Sequence, residues 1–280
     1  MLARQGFGRV ARELGRRRMS TGEEKILSEV KEGVAFLTLN DNSKRNALSF
    51  SLMTELRDKI QSFEEDRSVK VAVLRHAGKV FSSGHDLKEL SMLQKTVGST
   101  EKVFAACSDL MLAIRKVRYP VIAEVSGLAT AGGCQLVAAC DLAVASEEAT
   151  FSTPGVKIGL FCTTPGVAIA RSMHAKHAMS MLLTGDMLTA EQALSYGLVN
   201  QVTTPHALQA TTESLAMKIA AAPSETISIG KAAFYKQASM EDLVAAYEYG
   251  KGVMVNNMKI ADAEEGIGAF IEKRKPVWKT

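Results

Sequence analysis

No apolar run in this 280-residue chain approaches the roughly 18 residues that a membrane-crossing helix needs, so the sequence contains no helical span. Cysteine is scarce. The four residues, Cys107, Cys134, Cys140 and Cys162, include no CxxC pair, which excludes a paired-thiol redox motif or a zinc knuckle. Most sit in apolar surroundings and read as buried, reduced thiols. Charge of one sign is also lacking: the net value is +4, and the first 20 residues account for more than all of it. The remainder has no basic excess to draw it to nucleic acid. What remains is ordinary for a soluble globular protein, with 46 % hydrophobic and 23 % charged residues. The length suits one large core, or one core with a helical appendage.

The first 20 residues stand apart. "MLARQGFGRVARELGRRRMS" holds six arginines against one acid, Glu13. Leu2, Phe7, Val10 and Leu14 would lie opposite the arginines if the stretch coiled. This is the composition of a mitochondrial transit peptide, with a break after Met19 as the cleavage region and the mitochondrial matrix as destination. A disordered basic tail and a surface helix on anionic lipid are the competing readings.

From Ile26 onward strands and helices alternate. "VAFLTLN" (34–40), "VKVAVLRH" (69–76), "PVIAEVSG" (120–127) and "DLAVAS" (141–146) read as strands. Residues 49–65, 101–118 and 132–139 read as helices, the first with Leu52, Leu56, Ile60 and Phe63 at helical spacing. "TAEQALSYGLV" carries a capping box, Thr189 with Gln192, and a stop at Gly197. Beyond Pro205 only helices are predicted. The expected organisation is an α/β core over 26–203 and a helical section over 204–280.

Two strand–glycine–helix junctions invite chemistry: "FSSGHD" (81–86) and "GLATAGGCQ" (127–135). Such a junction leaves unpaired N–H groups at a positive helix end, and two converging would hold a developing oxyanion. Singly, each reads as a tight turn. Elsewhere, Glu147 and Glu148 read as solvated, Asp141 as a cap, and His174 with His177 as exposed. Cys162 reads as packed beside Phe161 rather than as a nucleophile. The His85 imidazole is the one titratable ring beside the first junction.

"FSSGHDLKEL", "PVIAEVSGLATAGGCQLVAACDLAVASEEATFSTPGVKIGL", "LTGDMLTAEQALSYGLVNQV" and "GIGAFIEKRKPVW" together resemble the enoyl-CoA hydratase/isomerase (crotonase) superfamily, from about residue 26 to the C-terminus. The resemblance implies an α/β fold, a spiral of ββα turns with C-terminal helices that build trimers or hexamers. It implies a coenzyme A thioester as ligand and no covalently bound cofactor. It places the thioester oxygen between the backbone amides of His85 and Gly132. Lys44, Arg45, Ala47, Asp86, Leu87 and Lys88 match CoA-contacting positions, and Phe270 and Lys273 match positions that reach a neighbouring subunit's CoA. These cations read equally well as solvated surface charges.

The family's two hydratase glutamates are matched here by Gln135 and Gly155. A glutamine amide neither takes nor gives a proton near neutral pH, and glycine offers no side chain. Three readings follow: an acyl-CoA-binding protein of lipid metabolism with little or no hydratase activity, an enzyme of another acyl-CoA reaction such as thioester hydrolysis or decarboxylation, and a non-enzymatic interaction scaffold.

Overall fold

The site's position follows from how short strands alternate between two sheets. The structure, a computed structural model, describes residues 24–279, so the arginine-rich N-terminal segment lies outside the described residues. A hairpin opens the fold, β1 (Ile26–Lys31) against β2 (Val34–Leu39), and α1 (Phe50–Ser62) follows. Next come β3 (Val71–His76), β4 (Val80–Ser82), α2 (Leu87–Leu93) and α3 (Ser99–Lys116). Two further turns repeat the pattern: β5 (Val121–Val125), β6 (Leu128–Thr130) and α4 (Gly132–Ala139), then β7 (Leu142–Ser146), β8 (Thr150–Ser152), α5 (Thr163–Ser172) and α6 (Ala175–Thr184). The core closes with β9 (Leu188–Thr189), α7 (Ala190–Tyr196) and β10 (Gln201–Thr203). The helices α8 (Leu208–Ala220), α9 (Ser224–Ala238), α10 (Leu243–Asn257) and α11 (Ala261–Ile271) complete the chain.

One sheet runs β1-β2-β3-β5-β7-β10 and the other β4-β6-β8-β9. Each successive pair, β3–β4, β5–β6 and β7–β8, gives its first strand to the larger sheet and its second to the smaller. That alternation, with a helix after each pair, is the spiral of ββα turns the sequence resemblance implied. Pairing within β4, β6 and β8 is parallel, so their C-terminal ends open on one edge.

The strands of the larger sheet divide their side chains with period two. Val34, Phe36, Val71, Val73, Ile122 and Val144 face α8, where Leu208, Ala216 and Ala220 cover them. The intervening residues, among them Ala35, Leu37, Ala72 and Leu74, enter the main core with Phe81, Leu110 and Phe151. All four cysteines are free and buried. The capping box of Thr189 and Gln192 is present at α7.

Asp141 does more than the capping expected of it. One carboxylate oxygen accepts from the Val121 amide at 2.7 Å and from Lys231 Nζ at 2.7 Å, and the other accepts from the Tyr235 hydroxyl at 2.8 Å. Lys231 also donates to the carbonyls of Ile114 and Tyr119, both at 2.8 Å. Burial pulls the Lys231 pKa down, opposed by Asp141. With both side chains nearly enclosed, loss of one partner strands the other's charge. Asp141→Ala is therefore expected to lower the unfolding free energy by about 3–5 kcal/mol in urea titration, and an effect below about 1 kcal/mol would show the anchor to be dispensable.

Candidate functional site

The two glycine junctions meet at the open edge of the smaller sheet. Gly84, just past β4, adopts φ +83°, and a Cβ built on it would lie 2.9 Å from both Ala131 Cβ and the Thr130 carbonyl oxygen, and 3.2 Å from the Gly132 nitrogen. Only glycine permits that conformation and that approach without strain. The loop before α1 is stitched to the same place. Asn46 is fully buried and donates to the carbonyls of Val80 (2.8 Å) and Ala77 (3.3 Å), and the Asn46 carbonyl accepts from Ser82 Oγ (2.8 Å). The Ser83 amide donates to the Arg45 carbonyl and the Leu48 amide to the Gly84 carbonyl.

On the other side, Ala131 takes φ 50°, ψ −116°, unusual for a residue with a side chain, and its amide is held by the Ser152 carbonyl at 2.8 Å. The chain then enters α4, every residue of which is buried. The Gly132 amide opens that helix and has no acceptor within it. The His85 amide has no acceptor among the described residues.

Both residues line a cavity of about 490 Å³. Its other walls come from Leu87 and Leu90 of α2, Phe104 of α3, and the segment from Pro154 to Pro165. The lining is largely apolar, and among the described residues none of its side chains is a carboxylate. Its single lysine, Lys157, is half exposed and lies 3.7 Å from Asp186. The Cys162 thiol is 8 % exposed, and burial raises its pKa. A thiol held protonated is a poor nucleophile, which accords with its reading as packed.

Gly155 lies in the cavity wall, but the volume a side chain would need is taken. A Cβ there would stand 2.6 Å from the Leu160 carbonyl oxygen and 2.8 Å from Cys162 Sγ. The Leu160 amide donates back to the Gly155 carbonyl at 2.9 Å, which closes the loop over this point. Gln135 is 4 % exposed and does not line the cavity. Its Oε1 accepts from the Cys107 thiol at 3.6 Å, across to α3, and burial pushes the Cys107 pKa up to about 12.

The other sequence-predicted residues scatter. Leu87 joins the cavity, while Lys88 is exposed beside it. Asp86 caps α2 by accepting from the amides of Lys88 (3.0 Å) and Glu89 (3.1 Å), and it pairs with Lys44 at 3.0 Å. That hydrogen bond holds the Asp86 pKa down and the Lys44 pKa up. Arg45 is exposed and Ala47 buried, both on the stitched loop. Phe270 is 85 % exposed at the end of α11, Lys273 is exposed just beyond, and neither lines the cavity of its own chain. Glu147, Glu148, His174 and His177 are exposed, as expected, with His177 stacked on Tyr196. Sequence reasoning did not find Phe104, Ile158 or Leu160 as wall residues. No local pattern in the sequence marks them, and only the structure shows these apolar side chains left partly exposed.

A family model described as enoyl-CoA hydratase/isomerase matches residues 29–280. The chain belongs to that family. It is 47 % identical over 247 residues to the human protein named enoyl-CoA hydratase domain-containing protein 3, mitochondrial, covering 88 % of this chain and 81 % of that one. The crystal structure of human enoyl-CoA hydratase domain-containing protein 3 superposes with a TM-score of 0.88 at 45 % identity, over 91 % of this chain and 100 % of that one. That of an enoyl-CoA hydratase from Mycobacterium smegmatis gives 0.89 at 45 % identity, over 92 % and 100 %. The crotonase-type fold implied by the sequence is the fold observed.

The Gly155 geometry yields a direct expectation for this family member. Gly155→Ala displaces the Leu160–Cys162 backbone and costs about 1–3 kcal/mol of stability. A thermal melt unchanged from that of the original protein would show that the loop moves aside freely.

Proposed function

We propose that this chain is a mitochondrial acyl-CoA-binding protein of lipid metabolism with little or no enoyl-CoA hydratase activity. The observation that carries the reading is the pairing, among the described residues, of two backbone amides without an acceptor, at His85 and Gly132, with a cavity wall that holds no carboxylate. Fixed amides suit the oxygen of a thioester, whose partial negative charge they hold without reorganising. The acyl chain would occupy the apolar walls contributed by Leu90, Phe104 and Leu160. Coenzyme A acts as part of the ligand, and no covalently bound cofactor is needed. Lys44, which pairs with Asp86 of the first junction, and Arg45 beside it would meet the CoA phosphates, with Ala47 beside the adenine and Asp86, Leu87 and Lys88 along the approach.

Hydration of an enoyl thioester needs a group to activate water and a group to deliver a proton, each typically worth about 10²–10⁴ in rate. In this reading Gln135 and Gly155 stand where those glutamates would be. Gln135 spends its oxygen on Cys107, and Gly155 is backed by the Leu160 carbonyl. Thioester hydrolysis through Cys162 gains no support, because burial keeps that thiol protonated. The mitochondrial placement rests on the arginine-rich N-terminal composition and agrees with the names of the vertebrate relatives.

The C-terminal section supports self-association as trimers or hexamers. On α10 and its C-terminal cap, Leu243, Val244, Tyr247, Met254, Val255 and Met258 are all exposed. At 100° per residue these positions fall within an arc of about 120°, an apolar stripe interrupted only by Lys251, which pairs with Glu248. A stripe of this kind calls for a covering surface, and a second copy of the chain supplies one that would also bring Phe270 and Lys273 to a neighbour's CoA.

Titration calorimetry on the processed protein should show acyl-CoA binding, while crotonyl-CoA hydration stays at background. Gln135→Glu alone should leave hydration at background too, since no second carboxylate fits at residue 155. Robust hydration by the unaltered protein, abolished in Gln135→Ala, would overturn the reading. Light scattering should give a mass that is a multiple of three subunits, and Tyr247→Asp should shift it toward the monomer.

A further inference from the structure

Residues that follow the last helix of a fold are poorly ordered unless something ties them down. Those after α11 are tied at almost every step. Lys273 takes φ 56°, a left-handed conformation that favours glycine. Two main-chain bonds close the helix around it. The Lys273 amide donates to the Phe270 carbonyl at 3.3 Å, and the Arg274 amide donates to the Ala269 carbonyl at 3.0 Å. This double closure reverses the chain at the helix end.

From there the chain runs back along α11. Arg274 forks onto Glu265, Nη1 to Oε1 at 2.6 Å and Nη2 to Oε2 at 2.9 Å, while its Nε donates to Glu272 at 2.6 Å. The fork pulls the Glu265 pKa down to about 2, so the pair stays charged well into acid. The Val277 amide donates to Glu265 at 2.8 Å and the Lys279 amide to the buried Asp262 at 2.7 Å. Trp278 reaches further. Its Nε1 donates to the Ala221 carbonyl at 3.0 Å, just past the end of α8. Its ring lies against Gly266, where a Cβ would stand 3.2 Å from Cζ3 and 3.3 Å from Cη2.

Asp262, Glu265 and Gly266 share one face of α11 at helical spacing. Ile267 and Ile271 lie on the opposite face with Phe270 beside them, and all three are exposed. A bidentate arginine–carboxylate pair fixes orientation as well as distance. The returning segment therefore sets how the end of α11 stands relative to α8, and with it where Phe270 and Lys273 project. We propose that residues 274–279 form a positioning strap for a neighbouring copy's ligand: through Arg274 and Trp278 they hold Phe270 and Lys273 against the nucleotide end of a CoA bound in the next subunit. The proposal rests on the reading that these two residues reach a neighbour's CoA, and it assigns the groups that place them.

The test compares butyryl-CoA with butyryl-pantetheine, which keeps the thioester and lacks the nucleotide. The readout is the ratio of the two affinities by calorimetry. In Trp278→Ala and Arg274→Gln the affinity for butyryl-CoA should fall about tenfold, the worth of one good polar contact, and that for butyryl-pantetheine should hold. Trp278→Phe keeps a ring on Gly266 and should recover part of the loss. Lys273→Ala should lower the same ratio, and its fall combined with that of Trp278→Ala should be less than the product of the two, since both act on one contact. Trp278 is the only tryptophan in the chain, so its emission reads the strap in the unaltered protein. It should shift with butyryl-CoA and stay put with butyryl-pantetheine. An equal loss of both ligands in the variants, an unchanged ratio, or an emission indifferent to butyryl-CoA overturns the proposal. An unaltered protein that scatters light as a monomer overturns it too, while acyl-CoA binding stands. Failure of both thioesters to bind removes the acyl-CoA reading and this proposal with it.

Discussion

The close passage of Gly84 beside the turn from β6 into α4 is the constraint on which the site depends. Two chain segments nearly 50 residues apart approach until a single methyl group would collide with Ala131 and the Thr130 carbonyl. Nothing in either loop alone brings this about. Parallel pairing of β4, β6 and β8 aligns their C-terminal ends, and the buried Asn46 side chain fixes the loop before α1 against the first junction. The main-chain strain at Ala131, φ 50° and ψ −116°, is held by one hydrogen bond to Ser152. Conformations of this kind cost about 1–3 kcal/mol and persist where the surroundings over-determine them. Here the surroundings do so, and the result is that the amide of Gly132 faces the cavity instead of a neighbouring carbonyl.

The polar anchor at Asp141 plays the corresponding part for the C-terminal helices. Through Lys231 and Tyr235 it ties α9 to the ends of α3 and β5 and to the start of β7, and all three Lys231 donors are used. That fixes the direction in which α9 leaves the core. The following helix then presents its apolar stripe outward, with Ala246 alone of its residues buried. A hydrophobic contact at α9 would tolerate rotation about the helix axis, whereas a lysine satisfied by three separate acceptors does not.

The long elements of the fold were legible in the sequence because their periodicities are unambiguous. Leu52, Leu56 and Ile60 mark α1, and the buried run at 71–74 marks β3. Of the smaller sheet only β4 was legible, as the strand that leads into the first junction; the others are two or three residues long and carry no pattern of their own. They exist because the larger sheet and the helices leave their backbone groups facing one another. The junctions at Gly84 and Gly132 could be read locally, as glycines where strand meets helix. Phe104 and Leu160 could not, because their place in the wall is set by packing between segments far apart in the chain. Asp141 was misjudged for the same reason: a carboxylate beside a helix end reads as a cap until its partners, some 90 residues away, are known.

The two positions proposed as departures from the family's pattern differ physically. Gln135 keeps a polar side chain that has found another partner, the Cys107 thiol, so its position is occupied by structure rather than emptied. Gly155 is more deeply committed, because the chain's own backbone at Leu160 and the thiol of Cys162 fill the space a side chain would enter. A reversal at Gln135 would disturb one hydrogen bond, whereas a reversal at Gly155 must move a loop that also forms the cavity wall. The donors at His85 and Gly132 are independent of both, being backbone groups fixed by the passage of Gly84. On the proposed reading, stabilisation of a thioester oxygen and transfer of a proton would fall to separate parts of this fold. On that reading one could be lost without the other, and the site would hold a thioester without hydrating it.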